Sequence, residues 1–241
     1  MLAVLRDATD GLARAASADL QLAVPSYPGW SVADLVVHTG RIHRWVTHIV
    51  KNRATTRPPQ PDLDERPDDL VGWFRTGAAA VADTLAAVGP AVAVWTFAGE
   101  PSVRFWRRRM ALETTIHRWD AQIAVGDAAA ITDEVAAAGV TEALEIYLEP
   151  RTRDTAVGGT GEVAVLATAD GARAWAVRLH SDAIEVVNAD QPGDVRITAP
   201  SDQLWLFLMG RVASDALDVH GPVTAVDRLE RAVASLLPPQ R

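Results

Sequence analysis

The sequence predicts an α+β protein with two domains, a helical domain over residues 1–150 and a small mixed domain over residues 151–241. Apolar residues recur with a helical period as far as residue 148, whereas apolar and polar residues alternate from residue 174 onward. Between the two patterns lies a stretch rich in Gly, Thr and Arg, residues 149–161, which is typical of a linker. Together these observations place a domain boundary near residue 150.

Segments with helical periodicity fill the first domain and predict a helix bundle of four or five helices. They cover residues 2–22, 31–51, 68–88, 106–125 and 131–148. Ser31 and Asp34 have the spacing of a capping box, in which each side chain accepts a hydrogen bond from the other residue's backbone amide. We therefore expect the second helix to begin at Ser31.

The second domain is predicted to contain short strands followed by two helices. Residues 174–179, 184–186, 195–197 and 217–220 are the candidate strands, and Asp170-Gly171 has the composition of a two-residue hairpin turn. A helix is expected to begin at Pro200-Ser201-Asp202, to be buried on all sides over Leu204–Met209, and to end at Gly210. A last amphipathic helix is expected over Val223–Leu237.

Composition excludes several classes of protein. Because the chain has no cysteine, it has no disulfide, zinc finger, iron–sulfur cluster or thiol nucleophile of its own. Its 31 acidic residues outnumber 23 basic ones, a balance that argues against a nucleic-acid-binding protein. Charged residues interrupt the first twenty positions, and no apolar run is long enough to cross a membrane, so we expect a cytoplasmic protein without a membrane partner.

The histidines of the second helix differ in their positions around its axis. The apolar stripe of this helix consists of Leu35, His38, Ile42, Trp45 and Ile49. His38 therefore belongs to the stripe, whereas His43 and His48 are predicted to lie on its flank or at the surface. An imidazole in an apolar stripe needs partners for its nitrogens. A backbone carbonyl is one such partner, and a metal ion is another.

A polar stripe on the fourth helix supplies candidate metal ligands. Arg109, Glu113, His117 and Asp120 follow one another at helical spacing. A Glu-x-x-x-His pair places a carboxylate and an imidazole one turn apart, which suits two ligands of one divalent metal. With His38 the set becomes two histidines and one carboxylate, which leaves a coordination position open for substrate. The alternative is a surface Glu113–His117 pair worth roughly 0.2–0.5 kcal/mol and an unrelated buried His38.

Two stretches resemble the signatures of a known family. One is Gly29-Trp-Ser-Val-Ala-Asp-Leu-Val-Val-His38, and the other is Phe105-Trp-Arg-Arg-Arg-Met-Ala-Leu-Glu113-Thr-Thr-Ile-His117-Arg-Trp-Asp-Ala121. In order and separation they resemble the mycothiol-dependent maleylpyruvate isomerase family, whose N-terminal domain is a DinB-like up-down four-helix bundle. That family also has a small sterol-carrier-like α+β domain, and Ser201-Asp-Gln-Leu-Trp-Leu-Phe-Leu-Met-Gly-Arg211 is similar to its Leu-rich helix. The resemblance covers most of the chain.

The resemblance implies roles for individual residues. His38, Glu113 and His117 become the ligands of a divalent metal; zinc suits them best, although iron, nickel and manganese also bind such donors. Arg211 becomes a candidate catalytic residue that binds a substrate carboxylate across the domain interface, the alternative being a cation at a helix C-terminus. Arg109 is expected to face the anionic cofactor, while Arg107 and Arg108 are expected in a solvated turn.

Asp120 has two interpretations. It accepts a hydrogen bond from a metal-bound imidazole and so supports the cofactor site, or it pairs with an arginine.

The chemistry that the resemblance implies is activation of a small thiol, mycothiol, as cosubstrate. In an isomerase the thiolate adds to an activated double bond, permits rotation and then leaves; in an S-transferase it displaces a leaving group or stays attached. A non-catalytic ligand-binding or regulatory protein with the same fold is the third hypothesis. The expected partners are a small-molecule thiol and a small anionic or electrophilic substrate, and the chain is expected to be a monomer or a homodimer.

Overall fold

The computed structural model describes residues 1–60, 67–153 and 156–235, and it confirms an α+β protein. The described chain forms two compact units, residues 1–129 and residues 130–235. Within the described residues, no helix combines the length and the apolar character that a membrane span requires.

The first unit is a bundle of four helices. These are α1 (Leu2–Ala18), α2 (Val32–Lys51), α3 (Leu70–Ala87) and α4 (Val103–Ala124). Both α1 and α2 pack against α3 and against α4, so each of these two helices is buried on more than one face. The predicted capping box starts α2, with the Ser31 amide 2.8 Å from Asp34 Oδ2 and the Asp34 amide 3.3 Å from Ser31 Oγ.

The loop between α1 and α2, residues 19–31, is held by its own backbone hydrogen bonds. The Val24 amide donates to the Trp30 carbonyl at 2.9 Å, and the Tyr27 and Trp30 amides donate to the carbonyls of Val24 and Tyr27 at 3.0 and 2.9 Å. Gly29 has a φ of 84°, a left-handed conformation that glycine adopts without steric cost. The α1–α2 loop therefore presents its side chains from a fixed backbone.

Arg107, near the start of α4, caps the neighbouring helix α3. Its Nε donates to the Leu85 carbonyl at 2.9 Å, and a terminal nitrogen donates to the Val88 carbonyl at 3.0 Å. These carbonyls belong to the C-terminal end of α3, where a cation is favoured by the helix dipole. The expectation that Arg107 lies in a solvated turn is wrong, because α3 ends beside it.

The second unit begins with a helix and continues into a five-stranded sheet. Its helices are α5 (Asp133–Glu142), which continues as a π-helical segment (Ala143–Leu148), then α6 (Glu149–Arg151), α7 (Ser201–Leu208) and α8 (Val223–Ser235). Its strands are β1 (Glu162–Thr168), β2 (Ala174–Leu179), β3 (Ile184–Val187), β4 (Val195–Ala199) and β5 (Asp218–His220). The sheet order is β3-β2-β1-β4-β5; β1 and β4 are parallel neighbours, and the other three pairs of these strands are antiparallel. Residues 236 and 237 of the expected last helix lie outside the described residues.

Three features of the second unit depart from the expectations. The chain divides into its two units between Ala129 and Ala130, not near residue 150, because α5 packs against α7 within the second unit. Strand β1 lacks alternation because it is the central strand and all but its first residue are buried. The hairpin between β1 and β2 has five connecting residues, 169–173, in place of two. The Gly171 amide donates a hydrogen bond to the Thr168 carbonyl, and the Thr168 amide donates one to the Arg173 carbonyl.

We predict that Gly139→Ala destabilises the second unit. A methyl group at Gly139 in α5 overlaps the indole of Trp205 in α7, and overpacking of this kind costs about 1–3 kcal/mol. The gain in helix propensity, about 1 kcal/mol, offsets only part of that cost. Urea denaturation is expected to show a lower free energy of unfolding. Gly89→Ala is the control, because its methyl group meets only Val92 Cγ2 at 3.8 Å; equal stability of the two variants contradicts the prediction.

Candidate metal centre

The bundle brings His38, Glu113 and His117 together. His38 lies in the first half of α2, and the other two lie one turn apart on α4. Nε2 of His38 and Nε2 of His117 are each 3.3 Å from Glu113 Oε1. One ligand atom from each residue falls within 4.8 Å of the others, a spacing at which a single cation reaches all three.

This cluster borders the core. The residues Glu113 and His117 are 8% and 3% exposed, whereas the His38 side chain is 37% exposed. The interpretation of Glu113 and His117 as a surface pair is therefore wrong, because α4 is buried on nearly all of its faces in this region. The solvent-facing edge of the cluster is formed by His38.

The His38 imidazole is neutral at physiological pH. Burial lowers its pKa to about 3, and His117 in its protonated form, Arg109 and Arg41 act in the same direction. Although part of the ring is exposed, Nε2 points at Glu113 inside the cluster. A neutral imidazole keeps a lone pair, which is the form that binds metal.

Asp120 lies beside the second nitrogen of the His117 ring. Nδ1 of His117 is 3.1 Å from Asp120 Oδ2, a contact that favours the tautomer protonated at Nδ1, because an ionised carboxylate only accepts hydrogen bonds. In the neutral ring, Nε2 then directs its lone pair at Glu113 Oε1. Two acceptors facing each other are favourable only when a cation lies between them, either a proton or a metal ion. The donor set therefore fits a divalent metal.

Arg109 forms an ion pair with the other oxygen of the Glu113 carboxylate. The two residues are one turn apart on α4, both are buried, and the guanidinium contacts Oε2 while Oε1 faces the histidines. Arg109 thus lies at the cluster, as its place in the polar stripe indicates. Its predicted contact with an anionic cofactor stays a prediction.

The α1–α2 loop contributes side chains that the spacing of metal ligands in the sequence does not indicate. Tyr27 and Trp30 stack on each other with centroids 5.0 Å apart; Trp30 meets the His38 ring at 5.4 Å, and Tyr27 lies 5.9 Å from the His117 ring. Ser26 Oγ donates to Asp120 Oδ1 at 2.5 Å. The sequence signal for this loop is Pro25-Ser-Tyr-Pro28-Gly, a rigid turn beside the first family-like stretch.

His43 is fully buried, which contradicts its predicted place at the flank. Its Nε2 is 2.9 Å from Thr114 Oγ1, its ring stacks on Phe74, and its Nδ1 has no hydrogen-bond partner among the described residues. The periodicity identifies one buried face of α2, but α2 packs on both α3 and α4. Burial lowers the pKa of His43 to about 3. His48 is exposed, as predicted.

Arg211 lies in the second unit, just after Gly210, whose φ of 71° ends α7. Its guanidinium donates to the Met209 carbonyl at 2.5 Å, and its amide donates to the Leu206 carbonyl at 2.8 Å. The first contact is the one expected of a cation at a helix C-terminus. The binding of a substrate carboxylate by Arg211 stays a prediction.

Comparisons with known proteins identify relatives of this fold. The family model described as the mycothiol maleylpyruvate isomerase N-terminal domain matches residues 2–122. The chain is similar to a crystal structure of the mycothiol-dependent maleylpyruvate isomerase, with a TM-score of 0.64 and 15% identity over 99% of this chain and 93% of that chain. A histidine-to-alanine mutant of that isomerase gives a TM-score of 0.60 and 13% identity over the same shares. A search of curated proteins finds no match.

We predict that His43 makes the metal-free protein less stable in acid. Its pKa is about 3 in the folded protein, against the ordinary histidine value of 6.5, which applies to the unfolded chain. Between these pH values the unfolded chain therefore binds a proton at His43 and the folded chain does not. The free energy of unfolding therefore falls as the pH drops from 6.5 toward 3. Per proton, the slope is about 1.4 kcal/mol per pH unit.

The measurement is urea denaturation between about pH 4 and pH 6 with a chelator present. His43→Gln removes the buried imidazole, so its slope is expected to be smaller than that of the wild type by about one proton. His48→Gln replaces an exposed histidine of the same helix and serves as the control. The prediction fails if both variants retain the slope of the wild type.

Proposed function

Because the chain belongs to the mycothiol maleylpyruvate isomerase N-terminal domain family, we propose that it is a metal-dependent enzyme that uses mycothiol to isomerise a small electrophile about a double bond. The observation that carries the proposal is the convergence of His38, Glu113 and His117 within 4.8 Å. All three lie within the part of the chain that matches the family model. Zinc is the proposed metal.

The proposed ligands are held by this chain's own residues. Asp120 orients His117, Arg109 holds one oxygen of Glu113, and burial keeps His38 neutral. A divalent cation bound there lowers the pKa of a coordinated thiol, so that a thiolate exists near neutral pH. Because three protein ligands leave a coordination position open, the set suits a catalytic site and not a closed structural one.

The sulfur must come from a separate molecule, since the chain has no cysteine. Mycothiol is the proposed source, in line with the family. Arg109 is the proposed contact for an anionic group of the cofactor at the cluster, and Arg211 the proposed contact for a substrate carboxylate. For Arg109, its place at the cluster, where it also pairs with Glu113, supports the proposal.

An S-transferase reaction is the alternative, and it would use the same three metal ligands. Both reactions begin from an activated thiolate, so the ligands do not distinguish them. The fate of the thiol does: an isomerase returns mycothiol unchanged, whereas a transferase leaves it bonded to the product. A non-catalytic binding protein neither consumes the thiol nor converts the electrophile.

We predict that the wild type, purified without chelator, contains about one divalent metal ion per chain and that His117→Ala loses most of it. Removing one of three ligands leaves two, too few for tight binding. Metal content is measured by inductively coupled plasma mass spectrometry. His48→Ala, which removes an exposed histidine outside the cluster, is expected to keep the metal. A wild-type protein that takes up no divalent metal contradicts the proposal.

We predict that the metal-loaded protein converts maleylpyruvate to its trans isomer with mycothiol at a concentration far below that of the substrate. The thiol is regenerated in each cycle, so its concentration stays constant. Product is followed by chromatography and free thiol by a chromogenic disulfide. Thiol loss equal to product formation supports the S-transferase, and neither product nor thiol loss with several electrophiles supports the non-catalytic protein.

A further inference from the structure

We propose that Ser26 is a positioning residue for His117 and that it acts through Asp120. This inference rests on the metal site of the proposed function. It assigns to a serine in the α1–α2 loop a part in setting the metal affinity of a ligand on α4.

The contacts form a continuous chain from the loop to the cluster. Ser26 Oγ donates to Asp120 Oδ1 at 2.5 Å, although 94 positions separate the two residues in the sequence. Asp120 Oδ2 is 3.1 Å from His117 Nδ1, and His117 Nε2 is 3.3 Å from Glu113 Oε1. Each oxygen of the Asp120 carboxylate therefore has its own donor, one from the loop and one from the ligand.

Burial makes this arrangement specific. Asp120 has no exposed area and His117 is 3% exposed, so water does not replace a lost hydrogen bond at low cost. The Ser26 hydroxyl fixes the rotation of the carboxylate about its Cβ–Cγ bond by holding Oδ1. That rotation sets the direction of Oδ2 and hence the orientation of the His117 ring. Without the hydroxyl, the carboxylate turns more freely and holds His117 less firmly.

The conformation of the α1–α2 loop positions the Ser26 hydroxyl. Its internal hydrogen bonds join Val24, Tyr27 and Trp30 around Ser26, and the Tyr27 and Trp30 rings pack against His117 and His38. Ser26 thus lies between Val24 and Tyr27, which are joined by a hydrogen bond, and next to Tyr27, whose ring contacts His117. The side chains of Ser26, Tyr27 and Trp30 approach the cluster from this loop, and Ser26 hydrogen-bonds Asp120.

The test measures the affinity of the full chain for Zn²⁺ alone by competition with a chromophoric chelator. Replacement of a residue that hydrogen-bonds a metal ligand typically weakens binding 10- to 100-fold. Ser26 contacts Asp120 and not the ligand itself, so it is one hydrogen bond further from the metal. Ser26→Ala is therefore expected to weaken Zn²⁺ binding about 10-fold, the lower end of this range. Ser26→Thr keeps the hydroxyl and is expected to stay within about threefold of the wild type. Ser17→Ala, whose hydroxyl bonds only to the Ala13 carbonyl within α1, is the matched control.

A double-mutant cycle separates this role from a general effect on folding. In an Asp120→Ala background, which removes the carboxylate that links Ser26 to His117, Ser26→Ala is expected to cause no further loss of Zn²⁺ affinity. An equal loss in both backgrounds overturns the proposal, as does wild-type affinity in Ser26→Ala. A lower melting temperature of the metal-free Ser26→Ala protein with unchanged Zn²⁺ affinity also overturns it. A wild type that binds no Zn²⁺ refutes the proposed metal site itself, together with this inference.

Discussion

The buried carboxylate of Glu113 is the constraint on which the cluster depends. An isolated carboxylate is costly to remove from water, so it needs partners of positive or hydrogen-bonding character. Arg109 approaches one oxygen, and the two histidines approach the other. The contact with Asp120 provides a partner for the second nitrogen of one of these histidines, His117.

The position of α4 explains why such a charge lies inside the protein at all. Residues 109–118 of this helix are all buried, so its polar stripe has no solvent to face. The stripe must then be satisfied by its own members and by the elements packed around it. Helix α2 contributes His38, and the α1–α2 loop contributes Ser26. Because residues 109–118 of this helix are buried, donors and acceptors are concentrated in a small volume of the bundle.

The sequence is sufficient to predict the parts of the structure that depend on local periodicity. The four bundle helices, the capping box at Ser31 and the helix that ends at Gly210 all follow from spacing and local chemistry. Glu113 and His117 are expected to lie side by side because one helical turn separates them. His38 is expected to face the bundle because it belongs to an apolar stripe, and the three residues form one cluster.

The remaining features depend on tertiary packing, which cannot be read from the spacing of apolar residues along the sequence. Strand β1 is buried on both faces, so its residues do not alternate. His43 is buried because α2 has a second packed face. Arg107 contacts the end of α3, and Ser26 contacts Asp120, although the partners are far apart in the sequence. Such contacts produce no periodic pattern of residues in the sequence.

The unequal exposure of the three donors has a kinetic consequence. Glu113 and His117 are enclosed by the bundle, whereas His38 retains about a third of its side-chain surface in solvent. In the proposed site His38 would be the ligand with the most room to move, so a bound ion would be released from His38 first. The rate of metal exchange would then depend on rotation of this imidazole against Trp30, while the equilibrium affinity would depend on all three ligands.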